Sequence, residues 1–260
     1  MKKLQLNNNI DNEIYYNTTE LEQDINDIND IQNNLNSLIY NQTDKLLHIE
    51  DNMSTIKYDI MESNKNLAAT QPLILDLPHK KTIWNAGGSF NTFFGLSKTR
   101  SKGVIYNPKL KIQTFTEWIS GCCILVKIQA IKEVGLLDNR FFAYFEDVDW
   151  SIRMKNQGYK LGVVPKSIIY HHSSGSTKKN NTSNEGNLSP YAHYLNVRNH
   201  IYLINKHTFF FNSTGSWTYQ ILKIISYSIY FILRGRFKKL KMVWRGVLDG
   251  IKIKNIKHIV

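Results

Sequence analysis

The order of strand-like and helix-like runs between residues 118 and 172 constrains this chain more than any other feature. "WISGCCILVK" (118–127) is an apolar run of strand length, and "IQAIKEVG" (128–135) is a short helical pattern that can end on Gly135. "VDWSIRMKNQG" (148–158) repeats the helical spacing, with Val148 and Ile152 on one face and Gly158 as its stop. "KLGVVP" and "SIIYHH" then read as strands punctuated by Pro165. Strands that alternate with helices predict an α/β layer, since each element must bury its apolar side against the next.

The chain on either side obeys other rules. From Leu21 to Ile60, steps of four and three residues meet apolar side chains at ten of twelve positions, with neither Gly nor Pro in the span. A seam of period 3.5 predicts a long N-terminal coiled-coil helix that self-associates or meets a partner helix, with Gln32 and Gln42 fixing its register. The competing reading is a disordered Asn/Asp-rich arm, because runs such as "NDINDIQNN" form helices poorly. Three segments follow: 1–66 as the coiled coil, 67–207 as the α/β part, and 208–260 as a basic helical tail.

Charge follows the same division. Residues 1–66 hold 12 acids against 5 bases, while the remainder holds 9 against 28, so the formal charge of +12 belongs to the later part. Residues 206–260 alone carry 11 Lys and Arg against one acid. "YQILKIISYSIYFIL" (219–233), interrupted by Lys223, is shorter than the roughly 20 apolar residues that span a bilayer. Followed by "RGRFKKLKMVWR", it suits an amphipathic helical tail that meets an anionic membrane surface through residues 217–257. A buried core helix and a spanning helix are the alternatives. No nucleic-acid partner is expected, because no recognition module accompanies the basic tail.

Cys122 and Cys123 are neighbours, which ordinary disulfide geometry excludes, and two residues are too few for a zinc site. They read as reduced core residues of a cytosolic protein. The N-terminus lacks the continuous apolar stretch of a signal peptide, which places the expected location in the cytoplasm, peripheral at the inner face of the membrane.

"YFEDVDW" (144–150) sets Glu146, Asp147 and Asp149 among aromatic residues. As the first turn of a helix, the carboxylates offset the positive end of its dipole, and Asp149 reaches Arg153 four residues on. As a catalytic cluster, the aromatic frame would raise a carboxylate's pKa toward the range of a general base. "YHHSSGS" adds His171 and His172 at a strand end, which is a weak metal signal without a carboxylate partner.

Taken in order, "WISGCCILVK", "IKEVGLLDNRFFAYFEDVDWSIRMKNQGYKLGVVPKSIIYHHSSGST" and "YLNVRNHIYLINKH", with "WNAGGSF" (84–90) before them, resemble the acceptor-side half of family 2 glycosyltransferases over residues 68–212. These are inverting enzymes of the GT-A fold. The resemblance implies a partial GT-A-like mixed sheet with helices, acting on a nucleotide sugar and a glycan or lipid-linked acceptor. Asp147 is then the general base with Glu146 assisting, and Trp118, Gly121 and Asp149 are expected to contact substrate. His171 matches the family position that helps hold Mg²⁺ or Mn²⁺. The family's nucleotide-binding half, with its Asp-x-Asp motif, would fall before residue 68, so the resemblance implies a donor-binding half supplied from elsewhere. Asp76, closing "PLILD", is the one carboxylate near such a place. A non-catalytic scaffold or accessory subunit of a polysaccharide-assembly complex is the alternative.

Overall fold

The computed structural model describes residues 66–77, 81–171 and 188–253, all within one unit, Asp59–Val260. The heptad seam of residues 21–60 and His172 lie outside the described residues. What is described is an α/β arrangement, a mixed sheet with helices packed on it.

The sheet is organised around β1 (Leu67–Asp76), in which every residue but Asp76 is buried. A strand covered on both faces reads as a continuous apolar run, and "LAATQPLILD" carries no charge before its last residue. It pairs in parallel with β7 (Lys160–His171), from Leu67↔Lys160 to Asp76↔His171. On its other edge, β6 (Leu125–Val126) joins near the start and β2 (Ile83–Asn85) near the end, both antiparallel. Pro72, which has no N–H to offer a ladder, falls between those two pairings. β5 (Phe115–Thr116) lines the outer edge of β7, and β3 (Gly88–Asn91) with β4 (Leu96–Thr99) forms a separate hairpin.

Two expectations need correction here. Pro165 does not separate two strands: the register jumps from Pro72↔Val164 to Leu73↔Ile168, so residues 165–167 form a bulge within one strand. The run at 118–127 is not one buried strand, since only Leu125–Val126 joins the sheet. Side chains intercept its backbone instead: Ser120 N–H donates to Gln71 Oε1 (2.7 Å) and Gly121 N–H to Asp147 Oδ2 (2.8 Å). The cysteines are free, as expected, but Cys122 is exposed on this loop rather than set in the core.

α1 (Ile128–Val134) ends on Gly135 at φ 76°, and α2 (Glu146–Asn156) is followed by Gly158 at φ 81°, the left-handed stops that glycine adopts without a Cβ penalty. Ala130 of α1 and Trp150 and Met154 of α2 bury against Ala68, Ala69 and Leu161. The opposite face of α2 presents Val148 and Ile152 to Trp118, Phe141 and Tyr202.

α3 (Pro190–Lys206) starts with Pro190 in its first turn and Ser189 as cap, whose oxygen accepts from Ala192 N–H. α4 (Ser213–Leu233) is capped by Asn212, and α5 (Phe237–Lys252) returns after Gly235 at φ 63°. α5 lies tight on α3: a Cβ on Gly246 would stand 2.7 Å from the Tyr194 carbonyl oxygen, and one on Gly250 2.7 Å from that of Arg198. Val197 and Ile201 of α3 bury with Ile224, Phe231, Val243 and Val247 of the tail helices. The tail thus has a core face, while Ile221, Ile225 and Ile229 of α4 and Trp244 and Leu248 of α5 stay exposed. Among the described residues no helix is long and apolar enough to cross a membrane, and the spanning reading falls.

Candidate active site

The parallel strands β1 and β7 end side by side, with Asp76 opposite His171. In α/β sheets the carboxyl ends of such strands are where ligands bind. Three further pieces of chain are close to this end.

The first is the loop Ser120–Cys122. A buried polar chain fixes it from below: Gln71 receives Ser120 N–H and donates to Asn85 Oδ1 (2.9 Å), which accepts Gly87 N–H (2.7 Å). Cys122 Sγ lies 3.2 Å from His171 Nδ1, and the His171 ring meets Trp84 at a centroid separation of 4.4 Å. Although the residue is exposed, desolvation of its sulfur and then the charges of Cys123 and Asp147 push the Cys122 thiol up to about 11, so it keeps its proton beside Nδ1.

The second is the start of α2. Asp147 is aimed by two backbone N–H groups, Gly121 on Oδ2 and Val148 on Oδ1, both 2.8 Å. Burial lifts its carboxyl above the ordinary range against the pull of those bonds. Burial and then the neighbouring Asp147 charge raise Glu146 to about 7, and its buried Oε2 has no hydrogen-bond partner among the described residues. Two adjacent carboxyls of this kind titrate as a pair. With Glu146 lifted to about 7, the pair can accept a proton at a higher pH than ordinary surface carboxylates do.

The third is the approach to α2, where three residues other than glycine have positive φ: Phe142 (61°), Tyr144 (68°) and Phe145 (72°). Phe142 centres a γ-turn closed by Ala143 N–H on the Phe141 carbonyl (2.7 Å). Each such residue costs on the order of 1–3 kcal/mol unless its surroundings hold it. The holding group is Asn199 of α3, fully buried, whose Nδ2 donates to the carbonyls of Phe141 (2.8 Å), Ala143 (2.6 Å) and Tyr144 (2.9 Å). Arg198 adds bonds to the Arg140 and Phe141 carbonyls. Asn199 and Arg198 therefore set where Glu146 and Asp147 stand, a role the sequence reading did not assign. The available signal was a polar residue on an apolar face, between Leu195 and Tyr202.

The structure thus brings together Glu146, Asp147, Gly121 and His171, with Cys122 and Trp84 as unanticipated neighbours. It does not bring Asp149 or Trp118. Asp149 has no exposure and is enclosed by Arg153 Nε (2.9 Å), Lys206 Nζ (2.7 Å) and His207 Nε2 (2.8 Å). Burial pushes its carboxyl up, but His207, Arg153 and Lys206 outweigh that and hold it below the ordinary range. Facing the opposite way from Asp147 on the same turn, it ties α2 to α3 instead of meeting substrate. Trp118 is packed in the core beneath Gly88, where a Cβ would stand 1.9 Å from its Nε1.

The expected Mg²⁺ or Mn²⁺ finds too few donors. His171 already engages Cys122 through Nδ1, Cys122 holds its proton, and Asp76 adds a single carboxylate. Among the described residues no group of three or more His, Cys, Asp or Glu side chains could hold a metal ion. These residues do not fit a resident divalent ion, and no step below runs through one.

This arrangement of carboxylates at strand ends of an α/β sheet accompanies a relationship to glycosyltransferases. No family model matches the chain. Over 129 residues it is 32% identical to the N-acetylglucosaminyl-diphospho-decaprenol L-rhamnosyltransferases of Mycobacterium tuberculosis strains CDC 1551 / Oshkosh and ATCC 25618 / H37Rv. The match takes in 48% of this chain and 40% of each relative, so the chain spans well under half the length of the curated relatives it matches.

Proposed function

We propose that this chain is the acceptor-side part of an inverting sugar transferase. Its substrates are a nucleotide-activated sugar, of the L-rhamnose class by analogy with the relatives, and an acceptor linked to a lipid through a diphosphate. Asp147, oriented by the Gly121 and Val148 N–H groups, takes the proton of the acceptor hydroxyl, and Glu146 assists by raising the pair's basicity. The acceptor oxygen attacks the anomeric carbon, a new C–O bond forms, and the bond to the diphosphate breaks with its electron pair leaving on the nucleotide. Attack from the face opposite the leaving group inverts the centre. Donor binding is supplied by residues beyond those described or by another chain. Residues 21–60 serve self-association or a partner helix, and residues 217–257 hold the protein peripherally at the inner face of a membrane.

The observation that carries this reading is the placement of Asp147, fixed by the Gly121 and Val148 N–H groups and raised by burial, beside Glu146, which burial and the Asp147 charge lift to about 7, near the carboxyl ends of β1 and β7. The test is transfer of labelled sugar to a lipid-linked acceptor by membranes containing the chain. Asp147→Asn should abolish transfer and leave the melting temperature within a few degrees of the parent. Undiminished transfer would sink the assignment of the base. A second reading, an accessory subunit without chemistry of its own, is favoured by the two backbone bonds of Asp147, which would also serve a purely structural brace. It expects Asp147→Asn to lower stability without touching transfer by the complex.

A further inference from the structure

A cavity of about 590 Å³ is lined by Phe145, the residue that immediately precedes the carboxylate pair. Phe145 caps α2 immediately before Glu146, stacks on His200 at 4.9 Å, and forms part of the cavity wall. The opposite wall is α4, which contributes Tyr219, Lys223 and Tyr227.

The polar side chains lining this cavity are one ammonium, one imidazole and four hydroxyls, which can all present N–H or O–H donors except where already engaged, and no carboxylate stands among them. His200 Nε2 is bonded to the Gly95 carbonyl (2.7 Å) and must carry its proton there, leaving Nδ1 as an acceptor. Gln220 Nε2 (3.0 Å) and Lys223 Nζ (3.2 Å) both converge on that one nitrogen. The ammonium of Lys223 has two further N–H groups, and no salt bridge reaches it among the described residues. The hydroxyls of Tyr219 and Tyr227 have no hydrogen-bond partner among the described residues, and no Asp or Glu lines the cavity. Burial holds Lys223 down to about 8, and a nearby anion would favour its charged form. Lys223 is also the residue that interrupts the apolar run of α4.

Leu222 lines the cavity and is exposed on the same helix face as Ile225 and Ile229. The cavity therefore opens beside an apolar stripe, and an occupant with an anionic head and a long apolar chain would satisfy both at once. We propose that the cavity binds the diphosphate of an isoprenoid-linked acceptor, with Lys223, Tyr219 and Tyr227 on its oxygens and the chain laid along the exposed stripe of α4. This rests on the transferase reading and deepens it: the diphosphate is docked on one side of Phe145 and the acceptor hydroxyl delivered to Asp147 on the other.

The test is calorimetric titration of the full chain with farnesyl diphosphate, farnesol, inorganic diphosphate and phosphatidylglycerol vesicles. Farnesyl diphosphate should bind, and Lys223→Met should weaken it by about tenfold or more, the scale of a charge-assisted hydrogen bond. Farnesol and inorganic diphosphate should each bind at least about tenfold more weakly than the combined ligand, one lacking the charge and the other the chain. Tyr227→Phe, which keeps the ring and deletes one donor, should weaken farnesyl diphosphate several-fold and decides the matter if Lys223→Met fails to fold. Equal affinity for parent and both variants overturns the proposal. So does inorganic diphosphate binding as tightly as farnesyl diphosphate, or Lys223-dependent displacement of the ligand by the vesicles, which would make this a headgroup site. Asp147→Asn should bind farnesyl diphosphate as the parent does. Lost transfer in that variant with no Lys223 effect on binding removes the cavity and keeps the base; the converse removes the base and keeps the cavity.

Discussion

Replacing Asn199 by leucine removes the donor that holds the strained approach to α2 while keeping the number and branching of side-chain heavy atoms. The Phe141 carbonyl retains Arg198, but the carbonyls of Ala143 and Tyr144 lose Asn199 Nδ2, their described side-chain donor. A buried polar group left without its partner costs about 1–3 kcal/mol, so two amount to roughly 2–6 kcal/mol if the loop keeps its place. Three residues at positive φ make the alternative attractive, since relaxing them recovers on the order of 1–3 kcal/mol apiece. The loop should therefore divide the loss between stability and geometry, moving Glu146 and Asp147 out of their half-buried setting. Urea denaturation measures the first share. Carbon-detected NMR titration of the Glu146 carboxyl measures the second, with its pKa falling from about 7 toward the usual 4.5. An Asn199→Leu protein within about 0.5 kcal/mol of the parent, and with the Glu146 titration unmoved, would refute the argument, since surface substitutions alone produce that little.

Glu146 has a folded pKa above its unfolded value, so the native state binds the extra proton between about 4.5 and 7 and loses stability as pH rises through that window. Glu146→Gln should therefore be more stable than the parent at pH 8 and indistinguishable near pH 4 by thermal melts, and it should move the acidic limb of the transfer rate to lower pH. Asp138 and Asp149 behave oppositely: both carboxyls are held down by cations, so their contribution is complete above the unfolded carboxylate range and lost as pH falls below it. Lys206, whose Nζ stands 2.7 Å from each, should cost about 3–5 kcal/mol in urea when replaced by methionine, as expected for breaking a buried ion pair. Gly246→Ala should cost about 1–3 kcal/mol by overpacking, because its Cβ would press on the backbone carbonyl of Tyr194. A neutral result there would mean the α3–α5 crossing opens without penalty.

Local pattern was readable wherever local pattern decides the structure. Gly135 and Gly158 end their helices as the spacing predicts, Val148 and Ile152 share a core face, and Asp149 reaches Arg153 across one turn. What failed was what distant residues decide. The apolar text of "WISGCCILVK" is that of a strand, yet Gln71, 49 positions before Ser120, takes the backbone N–H that a strand neighbour would have had. Pro165 looks like a strand boundary in one dimension, but β1 pairs on both sides of it and absorbs it as a bulge. Asp149 differs from Asp147 by two positions, about 200° around a helix, and that rotation alone carries it from the strand ends into a nest of Lys206 and His207. No local feature marks which of two carboxylates on one turn will face the interior. The answer lies on α3, some 57 residues further along the chain.

The same α3 helix organises both sides of Phe145. Asn199 fixes the carbonyls leading into Glu146 and Asp147, and its neighbour His200 stacks under Phe145 and accepts the Lys223 and Gln220 donors on the cavity side. Consecutive residues on a helix point about 100° apart, so one turn of α3 reaches the approach to Glu146 and Asp147 in one direction and the cavity lined by Lys223 in the other. Both tail helices bear on that turn: α4 brings Lys223 against His200, and the Gly246–Gly250 face of α5 presses on the turn of α3 that carries Arg198. If apolar surface on α4 draws the protein to a bilayer, the load falls on the helix whose inner face meets His200. Such a contact would be coupled to the placement of Phe145 through a few packed residues. Widening the α3–α5 crossing at Gly250 should disturb farnesyl diphosphate binding and the Glu146 titration together. A change in one without the other would show that α3 does not transmit between them.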